Sequence, residues 1–156
     1  TDPNTELVES LKSLSNDFLR ITNSESNTDI RCIGSEIYVP SWKNRIGLAF
    51  SSPPYFDLEH YNIGNQSIDN SNYEQWINNY WKSTVKNIDS YLISGGYFLL
   101  NMKNIKKNNT LDDMCNVIES KGFEFIEFLK LKNINRVILR QNGKNTDEVI
   151  AVFKKL

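Results

Sequence analysis

The sequence predicts an α/β domain, built as a three-layer sandwich of helices on a sheet. Three observations predict it. Helical and strand patterns alternate along the chain in the order helix, strand, strand, helix, strand, helix, strand, strand. Two of the strand segments, 46–50 and 97–102, are almost continuously apolar, as strands buried on both faces are. The last two strands have no helix between them, so they are expected to pair antiparallel. The 156 residues suit one domain, with no internal repeat and no second core.

Residues 4–20 read as an amphipathic helix. Asn4 or Thr5 can cap it, and Leu7, Leu11, Leu14 and Phe18 recur on one face. A polar loop covers 22–28, and Asp29–Gly34 suits a short strand. Ile46–Phe50 is the second strand, and it runs into Ser51-Ser52-Pro53-Pro54-Tyr55. Two consecutive prolines cannot continue a central strand, so the chain must turn there. Residues 56–71 read as a surface loop. Ser71 and Glu74 form an S-x-x-E capping box. The helix after it reaches about Leu92, with Ile77, Trp81, Thr84, Ile88 and Leu92 inward. Gly95-Gly96 then breaks the chain before the strand Tyr97–Met102. Lys103–Asn109 is a basic, Asn-rich loop. Thr110 and Asp113 begin a helix that Gly122 ends. Strands follow at 123–131 and 148–153, and the last is expected beside the 96–102 strand and antiparallel to it.

Composition excludes several classes. With 18 basic and 19 acidic residues the formal charge is −1, so this is no histone-like binder. No apolar run is long enough to span a membrane, and no signal peptide is visible. Cys32 and Cys115 lie far apart and His60 is the single histidine, which argues against a Cys/His metal site. The cysteine usage fits a reducing, cytoplasmic setting. Abundant Asn, and 13 Lys against 5 Arg, fit an AT-rich genome. The chain begins Thr1-Asp2-Pro3 without Met, so it reads as a processed product or part of something longer.

Ser52-Pro53-Pro54-Tyr55 lies just past a buried strand, at the end of an α/β sheet where ligands bind. Taken alone it is a proline-rich turn with a locally packed aromatic. In context (buried strand, S-P-P-Y, polar loop, capped helix, Gly-Gly, second buried strand) it resembles the catalytic motif (D/N/S)-P-P-(Y/F) of the DNA amino-methyltransferases. That resemblance implies a class I methyltransferase, Rossmann-like, with an antiparallel last strand. It implies methyl transfer from S-adenosylmethionine to the exocyclic amine of adenine (N6) or cytosine (N4), flipped from double-stranded DNA. A restriction-modification or phage system is the implied setting.

The residue types suit that chemistry. An exocyclic amine is a poor nucleophile because its lone pair is delocalised into the ring. Acceptors on its hydrogens favour pyramidalisation. The Ser52 hydroxyl and the Pro53 carbonyl are such acceptors, and Pro54 stiffens the turn. Tyr55 would stack on the flipped base, and its ring or that of Phe56 could sit near the sulfonium. A C5-cytosine mechanism would need a nucleophilic Cys in this loop, and neither cysteine lies there.

The resemblance covers most of the chain. Thr1-Asp2-Pro3-Asn4 looks like the end of the family's second strand, with Asp2 at the position that holds the cofactor's ribose hydroxyls. A plain helix-terminal acid is the alternative for Asp2. Gly34-Ser35-Glu36 looks like the end of the third strand, with Ser35 or Glu36 toward the cofactor's adenine. Gly95 to Asn101 resembles the region of the fifth strand, and Gly143-Lys144 with Val149–Lys155 resembles the closing hairpin. The family's F-x-G-x-G cofactor loop has no match. Residues 1–156 are therefore expected to be a single catalytic domain truncated at its N-terminus, lacking the first strand and helix. A recognition domain or subunit outside the chain is also implied.

Other candidates are weaker. Asp57, Glu59 and His60 could touch DNA or simply order a solvated loop. Tyr73, Trp76, Tyr80 and Trp81 at helical spacing read as core and rim rather than as a stacking surface. Residues 103–156 carry 11 basic and 7 acidic groups. Lys103, Lys106, Lys107, Lys130, Lys132, Arg136 and Arg140 could meet phosphates or only solvent. The alternative readings are a catalytically inactive nucleic-acid-binding subunit with this fold, or an RNA or protein methyltransferase. Ser52 argues against the last two, which usually carry Asn there.

Overall fold

The computed structural model describes residues 1–56, 72–104, 108–130 and 148–156. They fall into two compact units, one of residues 1–38 and 55–84, the other of 39–54 and 85–156. No helix among the described residues is long and apolar enough to cross a membrane.

The second unit holds a four-stranded sheet of β1 (Ile46–Ser51), β2 (Leu92–Met102), β3 (Phe123–Lys130) and β4 (Val149–Lys155), in the order β1-β2-β4-β3. β1 and β2 are parallel, and β4 is inserted antiparallel between β2 and β3. This is the arrangement expected of the last strands. The core of the unit is Phe98, Leu100 and Met102 from β2, Ala151 and Phe153 from β4, and Met114 and Ile118 from the helix α4 (Thr110–Glu119). Phe98 meets Phe123 edge-on with ring centroids 6.1 Å apart.

Three expectations for this unit change. Gly95-Gly96 does not precede the strand but lies inside it. β2 starts at Leu92, opposite Ile46, and its next partner pair is Leu48 with Tyr97, so several residues of β2 bulge against one of β1. Gly95 takes the left-handed φ of +76° that this needs. A Cβ on Gly96 would stand 2.9 Å from the Ile93 carbonyl oxygen and 3.1 Å from that of Gly47. Secondly, β1 is not buried on both faces. Leu48 and Phe50 are 58% and 59% exposed, and among the described residues β1 is the edge strand of the sheet. Thirdly, β3 ends at Lys130, and residue 131 lies outside the described residues.

Packing at the start of β2 is locked by polar contacts. The backbone N–H of Val39 donates to the Tyr91 hydroxyl at 2.6 Å, in a buried setting. The ammonium of Lys155 donates to the carbonyls of Asp89 and Leu92 and pairs with the Asp89 carboxylate at 3.1 Å. Three acceptors on one cation cap the C-terminal end of α3 (Lys82–Tyr91), where the dipole favours positive charge.

The first unit carries α1 (Thr5–Thr22). Asn4 caps it as expected, accepting from the Leu7 N–H at 3.1 Å. Its apolar stripe is not packed: Leu7, Leu11, Leu14 and Phe18 are exposed, and Val8 alone is buried. The strand expected at 29–34 is absent. Among the described residues its backbone has no ladder partner, and Arg31 instead forks onto the Asp29 carboxylate at 2.5 and 2.8 Å. The Asp2 N–H donates to the Arg31 carbonyl at 3.2 Å, and residues 1–4 form no strand either.

The helix expected from Ser71 begins at α2 (Tyr73–Gln75) and is capped by Asn72, whose side chain accepts from the Gln75 N–H at 2.9 Å. Ser71 lies outside the described residues. A π-helical turn, Trp76–Trp81, joins α2 to α3. The wider turn changes which side chains face inward. Trp76, Tyr80, Trp81, Thr84 and Val85 are buried, and Ile77 and Ile88 only half-buried.

Candidate active site

The topology decides which residues meet at the end of the sheet. In the parallel β1–β2 ladder Ser51 lies opposite Leu100, so the residues just beyond, Ser52 and Asn101, are neighbours. In the antiparallel β2–β4 ladder Asn101 lies opposite Ile150 and Met102 opposite Val149, so Glu148 enters at the same end. The side chains connect accordingly. The Asn101 Nδ2 donates to Ser52 Oγ at 3.2 Å and to Glu148 Oε1 at 2.9 Å. Ser52 is exposed, Pro53 is buried and Pro54 half-buried, so the turn is anchored by its first proline while its serine faces solvent.

Tyr55 and Phe56, both half-buried, belong to the first unit. Phe56 lies 5.8 Å from Tyr73, edge-on, and 6.2 Å from Trp76. Tyr73 stacks on Trp76, which tilts against Tyr80 at 5.5 Å. Trp76 and Tyr80 are therefore core aromatics, as their spacing predicts. The Trp76 indole nitrogen is buried with no hydrogen-bond partner.

The residues expected to face a cofactor also lie in the first unit. The Asp2 carboxylate accepts from the Asn4 N–H at 2.8 Å, the helix-terminal role. Ser35 donates to the Tyr80 hydroxyl at 3.4 Å and shares a 2.8 Å bond with Thr84 Oγ1. Burial pushes the Tyr80 hydroxyl up to about 12, helped by the charge of Glu36, while the hydrogen bonds to Ser35 and Thr84 act the other way. Gly34–Glu36 is a turn, not a strand end, and the Glu36 carboxylate folds over Gly34, where a Cβ would collide with it at 2.3 Å. The donor set fits S-adenosylmethionine in chemical type: its ribose hydroxyls and adenine amine are donors, and Asp2 and Glu36 are half-buried acceptors.

Sequence reasoning missed Asn101 and Glu148 as partners of Ser52. The available signal was a lone amide in the apolar run Tyr97–Met102. Asp57, Glu59, His60, Lys106, Lys107, Lys132, Arg136, Arg140 and Gly143-Lys144 lie outside the described residues.

No family model and no curated protein sequence matches the chain. Solved structures do. A candidate DNA modification methylase of Thermus thermophilus aligns with a TM-score of 0.53 and 15% identity, over 72% of this chain and 46% of that one. A structure of the same methylase complexed with S-adenosyl-L-methionine aligns over 72% of this chain and 48% of that one, at a TM-score of 0.49 and 16% identity. The 4+2 cyclase SpnF aligns with a TM-score of 0.54 and 11% identity, over 92% of this chain and 61% of that one. The chain thus spans about half the length of the methylase. The order β1-β2-β4-β3 with its inserted antiparallel strand, and the likenesses at TM-scores of 0.53 and 0.54, make this chain a class I methyltransferase-like α/β fold.

Proposed function

We propose that the chain carries the catalytic motif of an S-adenosylmethionine-dependent DNA methyltransferase acting on the exocyclic amine of a flipped adenine or cytosine. The observation that carries the reading is the placement of Ser52: exposed, directly past the carboxyl end of β1, with its hydroxyl held by Asn101. Bound S-adenosylmethionine supplies an electrophilic methyl group on a sulfonium. Ser52 Oγ and the Pro53 carbonyl accept hydrogen bonds from the target amine and localise its lone pair; the N–C bond forms as the methyl–sulfur bond breaks, leaving a thioether, and the extra proton on nitrogen passes to water. Tyr55 stacks on the extruded base, and its ring or that of Phe56, which packs on Tyr73 and Trp76, is the partner for the sulfonium. Asp2 and Glu36 are the acceptors for the cofactor's ribose and adenine, and Ser35 holds the turn that carries Glu36. Lys103 and Lys130 supply charge for phosphates.

The fold alone does not select this chemistry, since the cyclase SpnF shares it. The hydroxyl and aromatic of the motif are what support it. The test is methyl transfer from labelled cofactor to duplex DNA by the full-length natural protein. Ser52→Ala is expected to lower kcat about a hundredfold, in the range for removing one preorganised hydrogen-bonding group at a reacting centre, while cofactor affinity holds. Tyr55→Ala is expected to weaken capture of the base by ~1–3 kcal/mol. Cofactor and DNA binding without any transfer would favour an inactive subunit. Undiminished transfer by both variants would end the proposal.

A further inference from the structure

We infer that Asn101, anchored by Glu148, is the positioning residue that fixes the direction of the Ser52 hydroxyl. The inference rests on the reading of Ser52 given above and adds to it two residues from other strands. An ionised carboxylate only accepts hydrogen bonds, so the group 2.9 Å from Glu148 Oε1 must be the Asn101 amide nitrogen. Turning the amide over would set Oδ1 against a carboxylate, two acceptors face to face. The Nδ2 has two hydrogens: one is taken by Glu148, and the other meets Ser52 Oγ at 3.2 Å. Asn101 Oδ1 is buried without a partner among the described residues, so these two donated bonds are what hold the amide in place.

The consequence falls on Ser52. A serine hydroxyl on an exposed turn can occupy three rotamers and point its proton anywhere. With Nδ2 donating to it, the oxygen keeps one lone pair and directs its proton away from Asn101. That leaves one lone pair free to accept on the side away from Asn101, as the amine requires, before any substrate arrives. Glu148 strengthens the arrangement because a bond to a charged acceptor is shorter and stronger than a neutral one. Ser52, Asn101 and Glu148 come from the ends of β1, β2 and the start of β4, so the sheet itself sets the spacing.

The test is a double-mutant cycle on methyl transfer, with thermal unfolding run on every variant. Asn101→Ala is expected to lower kcat about tenfold or more, with KM for the cofactor unchanged, because a displaced group costs up to ~10²-fold. In a Ser52→Ala background the same change should cost almost nothing further. Glu148→Ala, at the strand's margin, should reproduce part of the loss, and Glu148→Gln, which keeps an acceptor, should rescue it. If Asn101→Ala fails to fold, the Glu148 pair carries the test. Full activity in Asn101→Ala or Glu148→Ala, with Ser52→Ala still crippled, overturns the positioning role alone. Full activity in Ser52→Ala overturns the reading of Ser52 and this inference with it. Additive losses in the cycle also overturn it.

Discussion

Phe50 and Phe98 are aromatic residues on paired strands, and their truncation should separate them widely. Phe98 is fully buried against Phe123 and Phe153, and Phe50 is 59% exposed on β1. Phe98→Ala removes a whole ring from a packed core and leaves a cavity, at a cost of about 3–5 kcal/mol. Phe50→Ala forfeits only the buried two-fifths of its ring. Full burial of such a side chain is worth about 1.5–3 kcal/mol, so the loss is about 1 kcal/mol. Urea unfolding followed by circular dichroism resolves the two. At a slope of about 1–3 kcal/mol per molar, a 4 kcal/mol loss moves the midpoint by roughly 2 M, and a 1 kcal/mol loss by about 0.5 M. Equal losses would refute the reasoning, since they would mean that Phe50 is covered and β1 is not an open edge.

Three further outcomes are expected. Tyr91→Phe leaves the buried Val39 N–H without its acceptor and should cost about 1–3 kcal/mol in the same assay. Tyr80, neutral and buried with its hydroxyl pushed up to about 12, contributes stability that is complete below the usual tyrosine value near 10. That contribution falls as pH rises toward 12, so the alkaline slope of the unfolding midpoint should be shallower in Tyr80→Phe. Cys115 is buried and its thiol pushed up to about 12, by burial first and then by Asp112 and Glu119. A thiol reagent at pH 8 should therefore modify exposed Cys32 rapidly and Cys115 only on unfolding.

The elements that the sequence declares well are those whose signal is local. Asn4 before an acidic first turn marks α1, Gly122 with its φ of +88° closes the turn after α4, and Phe123–Lys130 shows its β content directly. The errors arise where the decisive neighbour is remote. A continuous apolar run such as Ile46–Phe50 reads the same whether a second layer covers it or one face stays in solvent. The Leu7, Leu11, Leu14, Phe18 stripe has the period of a packed face, yet period says nothing of what lies opposite. Gly95-Gly96 reads as a break, but only the register against Ile46 and Leu48 shows that it absorbs a bulge. At Trp76–Trp81 a single wider turn moves the buried face off the α-helical positions that Ile77 and Ile88 mark.

The candidate site repeats the pattern. Ser52-Pro53-Pro54-Tyr55 is contiguous and therefore legible, whereas its supports are not. Asn101 is 49 residues from Ser52, and Glu148 is 47 from Asn101. They meet because β1 and β2 run parallel while β4 runs back between β2 and β3, so two carboxyl ends and one amino end share a margin of the sheet. Such a margin is where the backbone leaves its ladder and side chains take over the hydrogen bonding. Asn101, last but one in β2, keeps its backbone in the ladder opposite Ile150 while its side chain serves the loop beyond the neighbouring strand. The fold is shared with a cyclase, so it cannot by itself make a methyltransferase. What the proposed chemistry adds to the fold is a hydroxyl with a set direction, and the hydrogen bonds that run from Glu148 through Asn101 to Ser52 are the contacts the double-mutant cycle tests.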